Sequence, residues 1–202
     1  GYQAGASGLA ATALGHLARA TGINSVSVGR DSTASGNAAV AVGLQTIANA
    51  ADATAIGPEA EATGASSFAA GDAADAVGTG SVAIGGDRDD DGAGALASGF
   101  EAIALGADSS ASANFAITLG SRSIASGVQA IAIGVNAQAS GSNALALGAL
   151  AADVGYDAAP QIEQATPFGP HSLGDIYDDA LEALGADVYQ RDYMMFGFGA
   201  WR

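Results

Sequence analysis

Closely spaced carboxylates form the segment of this sequence that most resembles a metal-binding loop. Residues 86–92 read Gly-Asp-Arg-Asp-Asp-Asp-Gly. Asp87, Asp89 and Asp91, followed by a glycine, match the first half of a calcium loop, in which alternate carboxylates converge on a hard cation. The closing acidic ligand is missing, because the twelfth position counted from Asp87 is Ser98. Two interpretations stay open: a solvated acidic bulge, which we favour, and a calcium site.

Other catalytic chemistry has little support in the residue types. The chain has no Cys, which excludes disulfides, zinc thiolate sites and thiol catalysis. Its two histidines, His16 and His171, are expected to be exposed turn residues. Asp and Glu form no repeated pair of the kind that hydrolyses glycosides. The sequence therefore predicts a protein that is not an enzyme and needs no cofactor, apart from calcium on the second interpretation.

The charge balance excludes further classes of partner. There are 21 acidic residues against 6 basic ones, and the net charge is -15. All the basic residues are Arg, without the clustered cations that bind phosphate or anionic lipid. No apolar run reaches membrane-spanning length. We therefore expect no nucleic-acid partner and no membrane insertion in this segment, and so strong an acidic excess raises the hypothesis of a marine or halophilic source.

A repeat of fourteen residues explains the composition, in which 49% of residues are hydrophobic but mostly Ala, set among 30 Gly. Glycines recur every fourteen residues between positions 1 and 85, and again between 106 and 148. A second glycine series lies halfway between, with Ala50 and Ala113 in its place in two repeats. Since Gly reaches left-handed backbone angles without steric cost, we expect two glycine-dependent turns in each repeat.

The residues between the glycines predict two short strands per repeat. Aliphatic and small residues alternate ahead of the first glycine series, as in residues 26–28 (Val-Ser-Val) and 131–133 (Ile-Ala-Ile), which is typical of a strand whose aliphatic face is buried. In the second half, an Ala stands two positions before the glycine in every repeat, which indicates a space too narrow for a larger side chain. These alanines are Ala6, Ala20, Ala34, Ala48, Ala62, Ala76, Ala97, Ala111, Ala125 and Ala139.

Such coils cannot supply their own core. Stacked in parallel at about 4.8 Å per coil, each contributes about two bulky apolar side chains, worth roughly 1.5 to 3 kcal/mol apiece when buried. Ordering the backbone costs on the order of 1 to 2 kcal/mol per residue. Other chains must therefore cover the aliphatic face, and we predict a homotrimer in which the aliphatic ladders meet around a three-fold axis.

The repeats resemble a known family. Asn-Ser-Val-Ser-Val-Gly at 24–29 followed by Ser-Thr-Ala-Ser-Gly at 32–36, and Gln-Ala-Ile-Ala-Ile-Gly at 129–134 followed by Ala-Gln-Ala-Ser-Gly at 137–141, are similar to the head repeats of YadA-like trimeric autotransporter adhesins. The resemblance covers residues 1 to about 150. It implies an all-β fold, a left-handed parallel β-roll solenoid with 14-residue coils in an intertwined homotrimer. The same roll also occurs in fibres of tailed viruses.

Two domains are expected. Residues 1–155 would form the roll, with about ten coils and a half-coil insertion at 86–98, where the glycine spacing lengthens to 21 residues. Residues 156–202 are rich in aromatic residues and predict a small α+β C-terminal cap or docking region. A helix is expected at about 172–184, where a Ser precedes an acidic first turn and a Gly follows the last turn.

The resemblance implies a non-enzymatic attachment protein, extracellular and located on a cell surface or a virion. As a trimeric fibre or adhesin head, it would bind a glycan or protein receptor on a host surface. The alternative is a structural rod or docking piece of a larger assembly, whose partners would be neighbouring fibre or tail proteins.

Overall fold

In the computed structural model, residues 1–148 are described, and they form a parallel β-solenoid. The predicted C-terminal cap and its helix at about 172–184 lie outside the described residues. Each coil contributes one two-residue strand and one three-residue strand. The two-residue strands are hydrogen-bonded into one ten-stranded parallel sheet, which we call the narrow sheet. The three-residue strands form a second ten-stranded parallel sheet, the wide sheet.

The strands alternate between the two sheets along the chain. The narrow sheet contains β1 (Gly5–Ala6), β3 (Arg19–Ala20), β5 (Thr33–Ala34), β7 (Ile47–Ala48), β9 (Glu61–Ala62), β11 (Asp75–Ala76), β13 (Leu96–Ala97), β15 (Ser110–Ala111), β17 (Ile124–Ala125) and β19 (Gln138–Ala139). The wide sheet contains β2 (Thr12–Leu14), β4 (Val26–Val28), β6 (Val40–Val42), β8 (Thr54–Ile56), β10 (Phe68–Ala70), β12 (Val82–Ile84), β14 (Ile103–Leu105), β16 (Ile117–Leu119), β18 (Ile131–Ile133) and β20 (Leu145–Leu147).

The interior of the solenoid is lined by methyl and hydroxyl groups. The alanines that the sequence placed in a narrow space are buried from Ala20 to Ala139, which confirms that prediction. In the wide sheet, the central residue of each strand points inward, as Ser27 and Ala41 do with no exposed surface. The flanking aliphatic residues point outward. Within one chain, the buried face is therefore the small-residue face, and the aliphatic face is left uncovered, as expected for a face that only other chains can cover.

Several hydroxyl groups in this interior donate to backbone carbonyls, whereas those of Ser67 and Ser81 are buried without a hydrogen-bond partner. The Ser25 hydroxyl donates to the carbonyl oxygen of Gly22 at 2.7 Å, and the Thr46 hydroxyl donates to Gly57 O at 2.6 Å. Ser27 and Ser32 share a hydrogen bond of 2.7 Å between their hydroxyl oxygens. Because a buried polar group without a partner is destabilising, these bonds allow Ser and Thr to replace Ala in a core too small for bulky residues.

Glycine is favoured in the two series for different physical reasons. This corrects the prediction that each repeat contains two left-handed turns that depend on glycine. Glycines of the first series have φ between 98° and 149° from Gly15 to Gly148, a region that favours Gly. In the second series, Gly22 and its equivalents do not have positive φ. There, a Cβ on Gly22 would overlap the carbonyl oxygen of Gly36 in the next coil. Glycine in the second series is thus favoured by close stacking of coils and not by its backbone angle, and Ala50 and Ala113 take the position in two coils.

A further turn position was missed by sequence reasoning. One residue in every seven has φ near 55° without being Gly, as Asn24, Asp31 and Glu59 do. Each of these residues donates its backbone N–H to a carbonyl of the preceding coil, such as Asn24 N to Leu9 O at 2.8 Å. This bond offsets the strain of the left-handed conformation, so that many residue types occupy the position.

The insertion leaves the register of the sheets intact. Val82 pairs with Ile103 and Asp75 with Leu96, each across 21 residues, whereas other neighbouring strands pair across 14. The seven additional residues, 87–93, lie between β12 and β13. Asp87 N donates to Asp72 O and Gly94 N donates to Ala73 O, both at 3.0 Å, so that the chain leaves and rejoins the coil beside the same turn. The shift in glycine phase is therefore confined to a loop.

Candidate functional site

The outer face of the wide sheet is a continuous apolar surface. In every strand the first and third residues point outward, and the parallel register aligns them into two columns. Most members are Val, Ile or Leu, and none is buried. Leu14, Ile56, Leu119 and Leu147 are 60%, 43%, 48% and 66% exposed. A continuous aliphatic face along ten coils is typical of a surface that another protein chain covers.

The insertion is organised by its own carboxylates. Asp87 accepts two backbone hydrogen bonds, from Asp89 N at 3.0 Å through Oδ1 and from Gly92 N at 2.7 Å through Oδ2. Backbone bonds, led by that from Gly92, hold the pKa of Asp87 below its usual value. Asp91 accepts from Ala93 N at 2.9 Å. The loop is thus closed by carboxylate to backbone contacts, as expected for a bulge that leaves the roll.

Asp108 joins two of the three carboxylates that the calcium motif singled out. Oxygens of Asp87, Asp89 and Asp108 lie within 4.8 Å of one another, a group able to hold a metal ion, and Asp91 is not part of it. One oxygen of Asp108 accepts from Arg88 N at 3.1 Å, and the other is buried without a hydrogen-bond partner.

The position of Asp108 beside the insertion could have been inferred from the repeat. Asp87 and Asp108 each follow a first-series glycine by two residues, so the repeat places them one above the other in adjacent coils. A calcium motif of contiguous residues does not include Asp108, which the stacking of coils brings beside Asp87 and Asp89.

The calcium site stays a prediction, which calorimetry tests directly. On that hypothesis, calcium added to the protein releases binding heat with weak affinity, in the millimolar to tenth-millimolar range of extracellular calcium modules, because no bidentate carboxylate closes the site. The Asp89→Ala variant would then release no heat, whereas Asp52→Ala, a substitution in a distant turn, would behave as the unmodified protein. Absence of calcium-dependent heat in the unmodified protein would leave only the acidic bulge.

An acidic groove follows the outer face of the narrow sheet. It has a volume of about 520 Å³, and its lining includes Asp31, Glu59, Glu61 and Asp75. Glu61 and Asp75 are register partners on β9 and β11, so their carboxylates lie side by side across adjacent strands. Burial, and then the nearby Glu61 carboxylate, raise the pKa of Asp75 to about 6.

This pKa predicts that Asp75 destabilises the fold at neutral pH. Because the folded pKa is raised above the unfolded value of 3.8, the folded protein gains stability as the pH falls from about 6 to 3.8. At pH 7, Asp75→Asn should raise the free energy of unfolding by about 1 to 2 kcal/mol, a value reduced by solvent screening. Urea unfolding at pH 7 and pH 3.5 measures this: the advantage of the variant should vanish at the lower pH. An equal advantage at both pH values would contradict it.

The histidines do not assemble a catalytic site among the described residues. His16 is exposed and its ring stacks on Tyr2, with 5.5 Å between ring centroids. His171 lies outside the described residues. The prediction that His16 is an exposed turn residue is confirmed.

The repeats match a known family along most of the roll. The YadA head domain repeat matches residues 6–32, 20–46, 34–60, 48–74, 62–87, 97–123 and 125–151, well over half of the chain. No curated protein sequence shows a significant match. No helix among residues 1–148 is long and apolar enough to cross a membrane. Repeats of this family are surface-exposed parts of adhesins and form trimers, and their fold is of structural and adhesive type. The parallel solenoid and its glycine series agree with the match, and the chain belongs to the YadA head domain repeat family.

Proposed function

We propose that this chain is the head of a trimeric, non-enzymatic attachment protein that acts outside the cell and binds a glycan or protein receptor on a host surface. The observation that carries the proposal is the aliphatic outer face of the wide sheet. The repeats of the chain belong to the YadA head domain family, which implies adhesion of the trimeric adhesin type.

The area of this face is large enough to drive association. Ten strands spaced by about 4.8 Å, each about 10 Å long, present on the order of 500 Å² per chain. At roughly 25 cal/mol per Å², covering that area contributes on the order of 10 kcal/mol per chain before the costs of association. Three copies turned toward a common axis each cover part of the other two, which is how cyclic symmetry closes an apolar face.

The charge of the assembly affects both its solubility and its stability. Trimers built from chains with a net charge of -15 repel one another and stay soluble, while repulsion between the chains of one trimer opposes its assembly. Salt weakens this repulsion, so the trimer is expected to become more stable as ionic strength rises from low values. Unfolding promoted by high salt would contradict this account of the acidic surface.

The experiment that tests the function uses the purified full chain. Multi-angle light scattering should give three times the mass of the chain, 19.4 kDa. The labelled trimer should then bind intact cells or a glycan array saturably. A trimer that binds no cell or glycan, but is retained by neighbouring fibre or tail proteins, would instead favour the alternative of a structural rod or docking piece of a larger assembly.

A further inference from the structure

One strand of the wide sheet departs from the aliphatic pattern of its outer face. β10 presents Phe68 and Ala70 outward, with the buried Ala69 between them. Among the outward residues of the ten described wide strands, Phe68 is the only aromatic residue and Ala70 is the only alanine, whereas the others are Val, Ile, Leu or Thr. The largest and the smallest side chain of this face therefore lie on the same strand, at the same level of the roll.

These two residues form a ridge and a notch on the face. Phe68 is larger than the Thr and the Val that are its register partners in the column of first residues. Ala70 lies between Ile56 and Ile84 in the column of third residues, and these isoleucines are 43% and 41% exposed. A methyl group flanked by two longer side chains leaves a depression about as wide as one side chain.

Packing within a single chain gives no reason for this combination. Both Phe68 and Ala70 point outward and neither is buried, so the chain by itself does not require a small residue at position 70. At a packed interface, an additional ring must be matched by missing volume nearby, because overpacking and cavities both destabilise. Together the two residues have as many side-chain carbons as the Ile and Leu that β14 presents at the corresponding positions.

Rotation about a three-fold axis brings the two columns together. All wide strands run in the same direction, so the column of first residues follows one edge of the face and the column of third residues follows the other. An axis parallel to the columns is the one that covers the whole face, and around it the first column of each copy meets the third column of the next. Since rotation does not change the level along the axis, Phe68 of one copy faces Ala70 of its neighbour.

We propose that the ring of Phe68 packs into the notch at Ala70 of the next copy, and that this contact fixes the level at which the three chains associate. The inference rests on the trimer of the proposed function and adds which residues meet. Elsewhere the columns repeat aliphatic residues of similar size about every 4.8 Å, so packing alone would tolerate a chain shifted by one coil. At the level of β10, such a shift would press the ring against Ile56 or Ile84 and leave the notch empty.

Single cysteines on different chains test the contact, because the chain has no Cys. Chains with Phe68→Cys and chains with Ala70→Cys, which carry tags of different mass, are co-expressed so that mixed trimers form. Under oxidising conditions they should give a disulfide-linked dimer with one chain of each kind. Val28→Cys in place of Ala70→Cys is the matched control: Val28 lies in the same column three coils away, about 14 Å along the roll, which is too far for a disulfide.

Light scattering on the same samples separates the contact from the trimer. Trimers in which the two pairings link to the same extent would overturn the contact between Phe68 and Ala70 and leave the trimer standing. The same holds if chains with Phe68→Cys alone link to one another as well as the mixed pair does, since the three rings would then meet at the axis. A monomer would overturn both the contact and the trimer.

An exchange of the two side chains gives a second test that does not depend on disulfide geometry. Ala70→Phe should raise the concentration at which the trimer dissociates at least about tenfold, because two rings would meet at every interface. Adding Phe68→Ala should restore the trimer, because each ring then faces an alanine of the next copy. In a single chain, Ala70→Phe only adds an exposed ring, so an Ala70→Phe trimer as stable as the unmodified one would contradict the proposal.

Discussion

The Leu119→Asp variant is expected to be monomeric at concentrations where the unmodified chain is a trimer. Leu119 is the outward residue at the end of β16 and is 48% exposed in the single chain. In the proposed trimer it faces the three-fold axis, so three carboxylates would be buried near one another. Each buried, unpaired carboxylate costs several kcal/mol, and like-charge repulsion adds to it. This cost removes most of what remains of the roughly 10 kcal/mol per chain from the aliphatic face once the costs of association are subtracted. Light scattering measures the loss of trimer.

Val77→Asp is the control for this substitution. Val77 is also an exposed aliphatic residue, at 47%, but it follows β11 of the narrow sheet. A new carboxylate there stays solvated, so the variant should remain a trimer with a change in stability within about 0.5 kcal/mol. If both variants were monomers, or both trimers, the aliphatic face of the wide sheet would not be the interface.

Gly57→Ala is expected to destabilise the roll by about 3 kcal/mol or more. Gly57 has φ of 129°, where a side chain is strained, and a Cβ there would overlap the carbonyl oxygen of Gly71 in the next coil. Because that oxygen belongs to stacked backbone, the clash is relieved only by separating two coils. Thermal or urea unfolding measures the effect, and in a solenoid the damage should spread to both neighbouring coils.

Gly5→Ala separates this explanation from a general intolerance of glycine replacement. Gly5 lies on β1, does not have positive φ, and a Cβ there would contact nothing within 4 Å. Its replacement should change stability by no more than about 0.5 kcal/mol. Gly5 belongs to neither glycine series, so a large loss of stability there would mean that replacing any glycine of the roll is destabilising, whatever its backbone angle or the space beside it.

The repeat predicted the strands because its period is a direct consequence of stacking. Each coil must return the chain to the same point about 4.8 Å further along the solenoid. Equivalent positions therefore contact equivalent neighbours and admit the same residue types. That is why alternation around residues such as Ser27 and Ala41 located the wide strands. Alternation identifies the residues that share one face of a strand. The structure shows that the face of small residues lines the interior of the solenoid.

The candidate sites were predictable only as far as they were contiguous. Asp87 and Asp89 stand in one short segment, and the motif named them both. Asp108 joins them from the next coil, and Glu61 lies beside Asp75 from the preceding one. Contacts between coils depend on register, which the sequence alone does not specify across the 21-residue spacing.

By itself, the sequence determined the period, the parallel strands, the alanine-lined interior and the family, because each follows from residue types repeated at a constant spacing. The tertiary structure decided what depends on the distance between coils. It showed that Gly22 is required by the carbonyl of Gly36 and not by its own backbone angle. It also showed that the strands stay in register across the insertion, because the additional residues leave the coil as a loop. The interior between the two closely spaced sheets has room for methyl and hydroxyl groups only, so the aliphatic columns stay outside, in agreement with the prediction that only other chains can cover them.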